Sequence, residues 1–151
     1  MEDPIEYLMF SDPLTVRRRV LWGECDPAGV VYTPRFADYA ASARDYWFRH
    51  KLGHLDRPHP LRQQVVFPMR AMAFDFRGMI GPDEHFEMTV ALTEVRTRSF
   101  TLIVDATHEK GHCVFTANLS QVAYDQSTGQ AVVIPQPLRD RLASIAAARL
   151  S

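Results

Sequence analysis

A chain of 151 residues, 46% of them hydrophobic, can bury one proper core, and residues 1–151 are read as a single domain. Its 17 Lys and Arg against 18 Asp and Glu leave a formal charge of -1, which excludes a broad cationic face for nucleic acid, so any anion site must be local. Two cysteines, Cys25 and Cys113, are too few for a disulfide framework or a thiolate zinc site; they read as free thiols, and cytoplasm is the expected compartment. The segment from Met1 to Phe10 carries Glu2, Asp3 and Glu6 and lacks the pattern of a signal peptide. No later apolar run is long enough to span a bilayer, so a soluble chain with no membrane partner is expected.

In chain order, Leu14, Val16, Val20 and Trp22 fall on one parity against Arg17 and Arg19, which predicts a half-buried strand over 14–22. Gly23 to Gly29 then forces a turn, because Pro27 and the glycines stop regular structure. Thr33-Pro34 predicts a helix start, with a hydroxyl N-cap and a proline at the first helical position, and the helix should run to about Leu52 and stop at Gly53. Phe36, Ala40, Ala43, Trp47 and His50 recur at helical spacing, and Ala37, Ala41 and Phe48 widen the apolar surface. Only Asp38, Ser42, Asp45 and Arg49 read as solvated, so this helix should be mostly buried.

Residues 53–64 read as a loop, and everything from Val65 to Ile134 as strand and turn. Met72, Phe74 and Phe76 alternate with Ala73, Asp75 and Arg77; Phe86, Met88, Val90 and Leu92 alternate with Glu87, Thr89 and Ala91; and Phe100, Leu102 and Val104 alternate with Thr101, Ile103 and Asp105. A fourth strand spans Cys113 to about Tyr124, followed by a short Val132–Ile134 extension. Turns at Gly81-Pro82-Asp83, Glu109-Lys110-Gly111 and Ser127-Thr128-Gly129 make this an antiparallel meander, and Pro137 opens a last helix with Leu138, Leu142 and Ile145 on one face. One strand, a long buried helix, a run of antiparallel strands and a terminal helix give an α+β plan in which the sheet must curl around the helix. The terminal segments are the expected loose ends.

Several constellations could carry chemistry. His108-Glu109-Lys110-Gly111-His112 matches H-E-x-x-H, but that pattern ligates zinc only on a helix; here it joins two strands through a Lys-Gly turn and reads as a solvated hairpin tip, with no metal expected. No G-x-S-x-G elbow occurs, Ser42 lies on the polar stripe, and no phosphate-binding glycine loop is present. Cys25 reads as a packed thiol rather than a nucleophile. Asp26 sits in a Pro/Gly-constrained turn just before a helix N-terminus, where a fixed carboxylate could face a pocket and free amides could hold a developing oxyanion. An Asx-type turn residue is the competing reading of the same position.

The run Gly23-Glu24-Cys25-Asp26-Pro27-Ala28-Gly29-Val30-Val31-Tyr32-Thr33-Pro34-Arg35-Phe36 resembles the signature of the 4-hydroxybenzoyl-CoA thioesterase family, roughly G-D-x-D-x-x-G-[IV]-V-[FWY]-x-x-[YF]. The likeness extends over about Thr15 to Tyr124, through Pro68-Met69 and the Val95-Arg96-Thr97-Arg98-Ser99-Phe100 segment. It implies a hotdog fold, a curled antiparallel sheet around a central helix, with active sites built where subunits pair as dimers or tetramers. It also implies hydrolysis of an acyl- or aroyl-CoA thioester with no cofactor beyond the CoA of the substrate. Asp26 would be nucleophile or general base, and the Thr33 backbone N–H the oxyanion donor. Glu24 stands where the family more often has Asp and is given no catalytic role.

Arg96 and Arg98 match the family's basic CoA-binding segment, while Tyr32, Trp47, Phe67 and Met69 are candidate walls of the acyl pocket. A fatty acyl-CoA or acyl-carrier-protein thioesterase, and a non-catalytic acyl-binding protein of the same fold, remain the alternatives. A hydratase is disfavoured because no histidine lies near Asp26 in sequence.

Overall fold

The computed structural model describes residues 3–53 and 65–150, so the expected loop beyond Gly53 lies outside the described residues. Among the described residues are nine strands and two α-helices: β1 Glu6–Ser11, β2 Leu14–Arg19, α1 Arg35–Trp47, β3 Val65–Val66, β4 Met69–Phe76, β5 His85–Val95, β6 Ser99–His108, β7 Cys113–Val122, β8 Tyr124–Asp125, β9 Gln130–Ala131 and α2 Gln136–Leu150. Six of the strands form one antiparallel sheet in the order β1-β2-β5-β6-β7-β4, while β3, β8 and β9 form a small second sheet. α1 packs against β2, β5 and β6, which is the hotdog arrangement expected.

The alternation in β5 and β6 has the expected cause. Phe86, Met88, Val90 and Leu92 and then Phe100, Leu102 and Val104 are buried on the face that meets α1, which supplies Phe36, Tyr39, Ala40, Ala43 and Trp47. The alanines let helix and sheet approach closely, and rings fill the rest: Tyr39 lies 5.1 Å from Phe86 and Phe36 5.3 Å from Phe115 between ring centroids.

Three details depart from the sequence expectation. Residues 6–11 are not a loose end but an edge strand, held because β2 offers them a free ladder, with Tyr7 opposite Arg17. The first predicted strand stops at Arg19, and Trp22 starts a 3-10 turn through Glu24. Its ring is exposed because its N–H donates to Asp83 (3.0 Å), a partner at the surface. On α1, Ala41 is exposed whereas Tyr39 is buried, its hydroxyl being satisfied internally; the helix continues past α1 as a π-helical turn, Phe48–Leu52, where His50 is exposed, before Gly53 at φ 58°.

β4 is the other edge of the large sheet. Its alternation was legible, but Met72 and Phe76 are left exposed beyond the cover of α1, although Phe76 touches Phe36 (5.4 Å). Leu138 and Leu142 of α2 are buried as expected.

Candidate active site

After β2 the chain folds into a small hairpin. Cys25 and Val31 pair across it, the Asp26 N–H donates to the Val30 carbonyl (2.9 Å), and the Tyr32 N–H donates to the Glu24 carbonyl (2.9 Å). At the tip the Gly29 N–H returns to the Asp26 carbonyl (2.9 Å) with Gly29 at φ 79°, a backbone state that only glycine adopts cheaply. Oδ1 of Asp26 accepts the Ala28 N–H (2.9 Å), an Asx turn, while Oδ2 has no hydrogen-bond partner among the described residues. The turn reading therefore holds for this half-buried residue, in which one oxygen builds the loop and the other is unengaged among the described residues.

Thr33 lies on the return arm. The expected hydroxyl cap is not made: Pro34 takes the N-cap position in helical geometry. The helix opens through Arg35, Phe36 and Ala37 N–H groups donating to the Tyr32, Thr33 and Pro34 carbonyls at 2.8 to 3.2 Å. These tight turns satisfy the first amides, so the Thr33 hydroxyl is not needed there. The Thr33 N–H itself donates to nothing among the described residues, and Pro34 has no N–H to compete at the positive end of the helix dipole.

Glu24 pins the hairpin to the body of the protein. It pairs with Arg18 (2.5 Å), and its Oε1 accepts the Leu21 N–H (2.8 Å) and the Tyr39 hydroxyl (3.0 Å). Arg18 also pairs with Glu6 (3.3 Å) and lies 5.1 Å over the Tyr39 ring. Burial, and then the charge and hydrogen bond of Glu24, push the Tyr39 hydroxyl far up, so it stays a donor at any working pH.

The turn before β5 forms a wall behind the hairpin. The Val31 N–H donates to the Ile80 carbonyl (2.9 Å), and a Cβ on Gly81 would come within 2.9 Å of the Gly29 carbonyl. Glu84 spans this turn: Oε1 accepts the Gly81 N–H (2.8 Å) and Oε2 bonds Nε2 of His108.

His108 was expected on a solvated tip, yet it is 2% exposed. The hairpin tip is real, with the His108 N–H on the His112 carbonyl (2.8 Å) and Gly111 at φ 101°, but β-sheet register turns the His108 ring inward beside Phe86. His112 stacks on it at 4.4 Å and bonds the Met79 carbonyl (3.1 Å), so neither ring is splayed as a ligand pair would be. Among the described residues no three His, Cys, Asp or Glu side chains converge as a metal site.

Burial pushes the Glu84 carboxyl up, but the hydrogen bonds from His108 and Gly81 outweigh it and hold it below the usual value of 4.5. The contribution of this pair to stability is therefore complete above pH 4.5 and lost as pH falls through the depressed value. Acid denaturation followed by circular dichroism should show that slope in the wild type and a flatter one in Glu84→Gln; identical acid profiles would contradict it.

Burial, then the charges of Glu24, Asp26, Asp83 and Glu84, push the Cys25 thiol up, which leaves less thiolate than an ordinary cysteine holds and disfavours it as a nucleophile. Ser42 donates to Glu6 and is fully used in that contact.

The other candidates are spread over the chain. Tyr32 is 54% exposed on the hairpin rim, next to Asp26 and Thr33. Trp47, Phe67 and Met69 gather at the opposite end of α1, roughly 20 Å away for its 13 residues: Trp47 and Phe67 pack on Phe100, and Met69 lies opposite Gln121. Trp47 also lines a cavity of about 330 Å³ with Leu14, Leu92 and Ile145, away from the hairpin.

Arg96 and Arg98 sit on the β5–β6 turn, exposed, at the far end of the 11-residue β5 from the hairpin, on the order of 35 Å distant. Arg96 pairs with Glu94 (2.9 Å), and the turn itself is clasped by Arg139, which donates to the Arg96 and Thr97 carbonyls (2.9 and 2.8 Å). Within one chain, then, Asp26, Thr33 and Tyr32 come together, and the remaining candidates do not join them. Sequence reasoning missed Arg18, Tyr39 and Glu84 and read His108 as part of a solvated tip; only the Gly81-Pro82-Asp83 turn signal pointed to this wall.

The sequence pattern of the thioesterase-like superfamily matches residues 20–142. A comparison with curated proteins gave no match. Among solved structures, the chain is similar to a thioesterase superfamily protein from Jannaschia sp. CCS1 (24% identity, TM-score 0.75, covering 87% of this chain and 91% of that one). It is also similar to a 1,4-dihydroxy-2-naphthoyl-CoA thioesterase from Synechocystis (17%, 0.72, 87% and 96%). A protein from Staphylococcus aureus solved in complex with CoA matches at 13% identity and TM-score 0.76, over 96% and 87% of the two chains.

Proposed function

This chain belongs to the thioesterase-like superfamily, and on that footing we propose that it hydrolyses an acyl- or aroyl-CoA thioester, with Asp26 as the reacting carboxylate. The observation that carries this is the Asp26 hairpin: Oδ1 is committed to the turn, Oδ2 is unengaged, and the Thr33 amide on the return arm is an unused donor at a helix N-terminus. Oδ2 either attacks the thioester carbonyl, giving a mixed anhydride and CoA thiolate that water then cleaves, or takes a proton from a water that attacks directly. In both routes the carbonyl oxygen becomes negative in the tetrahedral intermediate, where the Thr33 N–H would stabilise it. Thiolate is a good leaving group, so one carboxylate and one oriented amide suffice without a metal.

An aroyl substrate, as in the 4-hydroxybenzoyl-CoA subfamily, is favoured by the similarity to a 1,4-dihydroxy-2-naphthoyl-CoA thioesterase, and CoA by the similarity to a protein that binds it. Tyr32, exposed beside Asp26, is the nearest candidate to meet the acyl group. Trp47, Phe67 and Met69 pack the core of their own chain at the far end of α1, so within one chain they are not beside Asp26.

The same geometry supports self-association as dimer or tetramer. Met72 and Phe76 on the open edge of β4, with Tyr32 and Met79, leave apolar surface and unpaired ladder positions that a second copy would cover. Such pairing also offers Arg96 and Arg98 a route to the CoA phosphates of a site they do not reach in their own chain.

A panel of aromatic, short-chain and long-chain CoA esters, followed by thiol release, tests the function. Turnover of none of them, with tight binding of any, would convert the reading to a non-catalytic acyl binder. For Arg96→Ala/Arg98→Ala, KM for full CoA esters should rise about fivefold to thirtyfold with kcat nearly unchanged, as when uniform binding of at most about 1 kcal/mol per exposed ion pair is lost. A pantetheine thioester without the nucleotide should show no difference. Equal losses on both substrates would remove the phosphate assignment.

A further inference from the structure

We infer that the pair formed by partly exposed Glu84 and buried His108 sets the position of the Asp26 hairpin and is thereby a positioning unit for the reaction proposed above, on which the inference rests. The path is continuous. The Lys110 N–H donates to Nδ1 of His108 (3.0 Å), so Nδ1 is an acceptor and the proton sits on Nε2, aimed at Oε2 of Glu84. The other oxygen of Glu84 holds the Gly81 N–H (2.8 Å), which fixes the 81–84 turn. That turn meets the hairpin twice: its Gly81 backbone lies against the Gly29 carbonyl, and the adjoining Ile80 carbonyl accepts the Val31 N–H (2.9 Å).

Gly29 and Val31 flank Val30, whose carbonyl accepts the Asp26 N–H. A change at His108 therefore reaches Asp26 through four hydrogen bonds and one backbone contact, with no side chain of the pair needing to touch substrate. The His108 ring is 2% exposed and so has no solvent role of its own, while the Glu84 side chain that meets it is 36% exposed. Burying an imidazole is costly unless its polar atoms are matched, and here both His108 and Glu84 have their remaining polar atom satisfied by a backbone N–H.

The chemistry of the pair predicts which substitutions fail. Glu84→Gln presents either an amide NH2 to the Nε2–H, two donors in opposition, or NH2 to the Gly81 N–H. His108→Ala leaves Oε2 of Glu84 without its partner. His108→Gln can still donate to Glu84 through its own amide. These variants should be compared by amide hydrogen exchange in the intact chain and by steady-state kinetics on whichever CoA ester the wild type turns over.

In His108→Ala and Glu84→Gln the Gly29 and Val31 amides should exchange at least tenfold faster than in the wild type, while amides of β6 and β7 hold their rates. On the kinetic side, kcat should fall at least tenfold with KM within twofold, and His108→Gln should recover most of both readouts. Uniformly faster exchange across the sheet, or unchanged Gly29 and Val31 rates, would overturn the inference by reducing the pair to ordinary core stability. If His108→Ala fails to fold, His108→Gln and Glu84→Asp carry the same comparison. A wild type that hydrolyses no CoA ester would sink the thioesterase reading alone, because the exchange measurement decides the coupling without any activity.

Discussion

Asp26→Asn should lower kcat by about three orders of magnitude or more while the melting temperature stays within about 2 °C of wild type. The two halves of this expectation come from the two oxygens. Oδ1 survives in asparagine and still accepts the Ala28 N–H, so the Asx turn, the Gly29 conformation and the pairing of Cys25 with Val31 persist. The free Oδ2 is replaced by an amide nitrogen with no lone pair to attack a carbonyl or to take a proton. Substrate affinity should change little, which equilibrium binding of a non-hydrolysable CoA thioether can measure. Thiol release above about a tenth of the wild-type rate would end the assignment of Asp26.

Glu24→Ala should give the largest loss of stability of any single change near the site, about 2–3 kcal/mol. It removes the partner of Arg18, the acceptor of the Leu21 N–H and the acceptor of the Tyr39 hydroxyl in one step. The Glu24 and Arg18 side chains are 12% and 16% exposed, so water can reach the stranded groups in part, and the value sits below that of a fully buried pair. Arg18 retains Glu6, which limits the loss further. For a chain of this size the melting temperature should fall by roughly 4–12 °C. Glu24→Gln, which keeps both neutral acceptor contacts within reach, should lose less than half as much. A fall under 1 °C for Glu24→Ala would show that this carboxylate pins nothing.

The strands that bury one face were legible because their chemistry repeats with the pleat: Phe86, Met88, Val90 and Leu92 can be read without knowing what they touch. β1 was not, because Glu6 to Ser11 is half-exposed on both faces and is a strand only by virtue of the ladder that β2 offers. The long helix was legible in its alanines and aromatics, yet Tyr39 escaped, since a hydroxyl looks polar until Glu24 is seen to receive it. Asp26 announced itself through Pro27 and Gly29 and through the family pattern. Glu84 and His108 could not, being 24 residues apart and joined only by the register that sets Phe86 opposite His108. His108 even drew attention for the wrong chemistry, as half of an H-E-x-x-H run whose rings the hairpin stacks instead of spreading. Arg44 was likewise silent in sequence, although it ties α1 to the Gln121 side chain (2.8 Å) and the Phe67 carbonyl.

The Asx turn at Asp26 has an entropic side. A free aspartate rotates among several conformers, and a reaction that needs one of them must freeze the rest each time a substrate arrives. Here the Ala28 N–H, the Gly29 return bond and the Val30 carbonyl hold that choice in the folded chain before any ligand is present. In the reaction proposed for Asp26, the loss of disorder would thus fall on folding, once per molecule, rather than on activation, once per turnover.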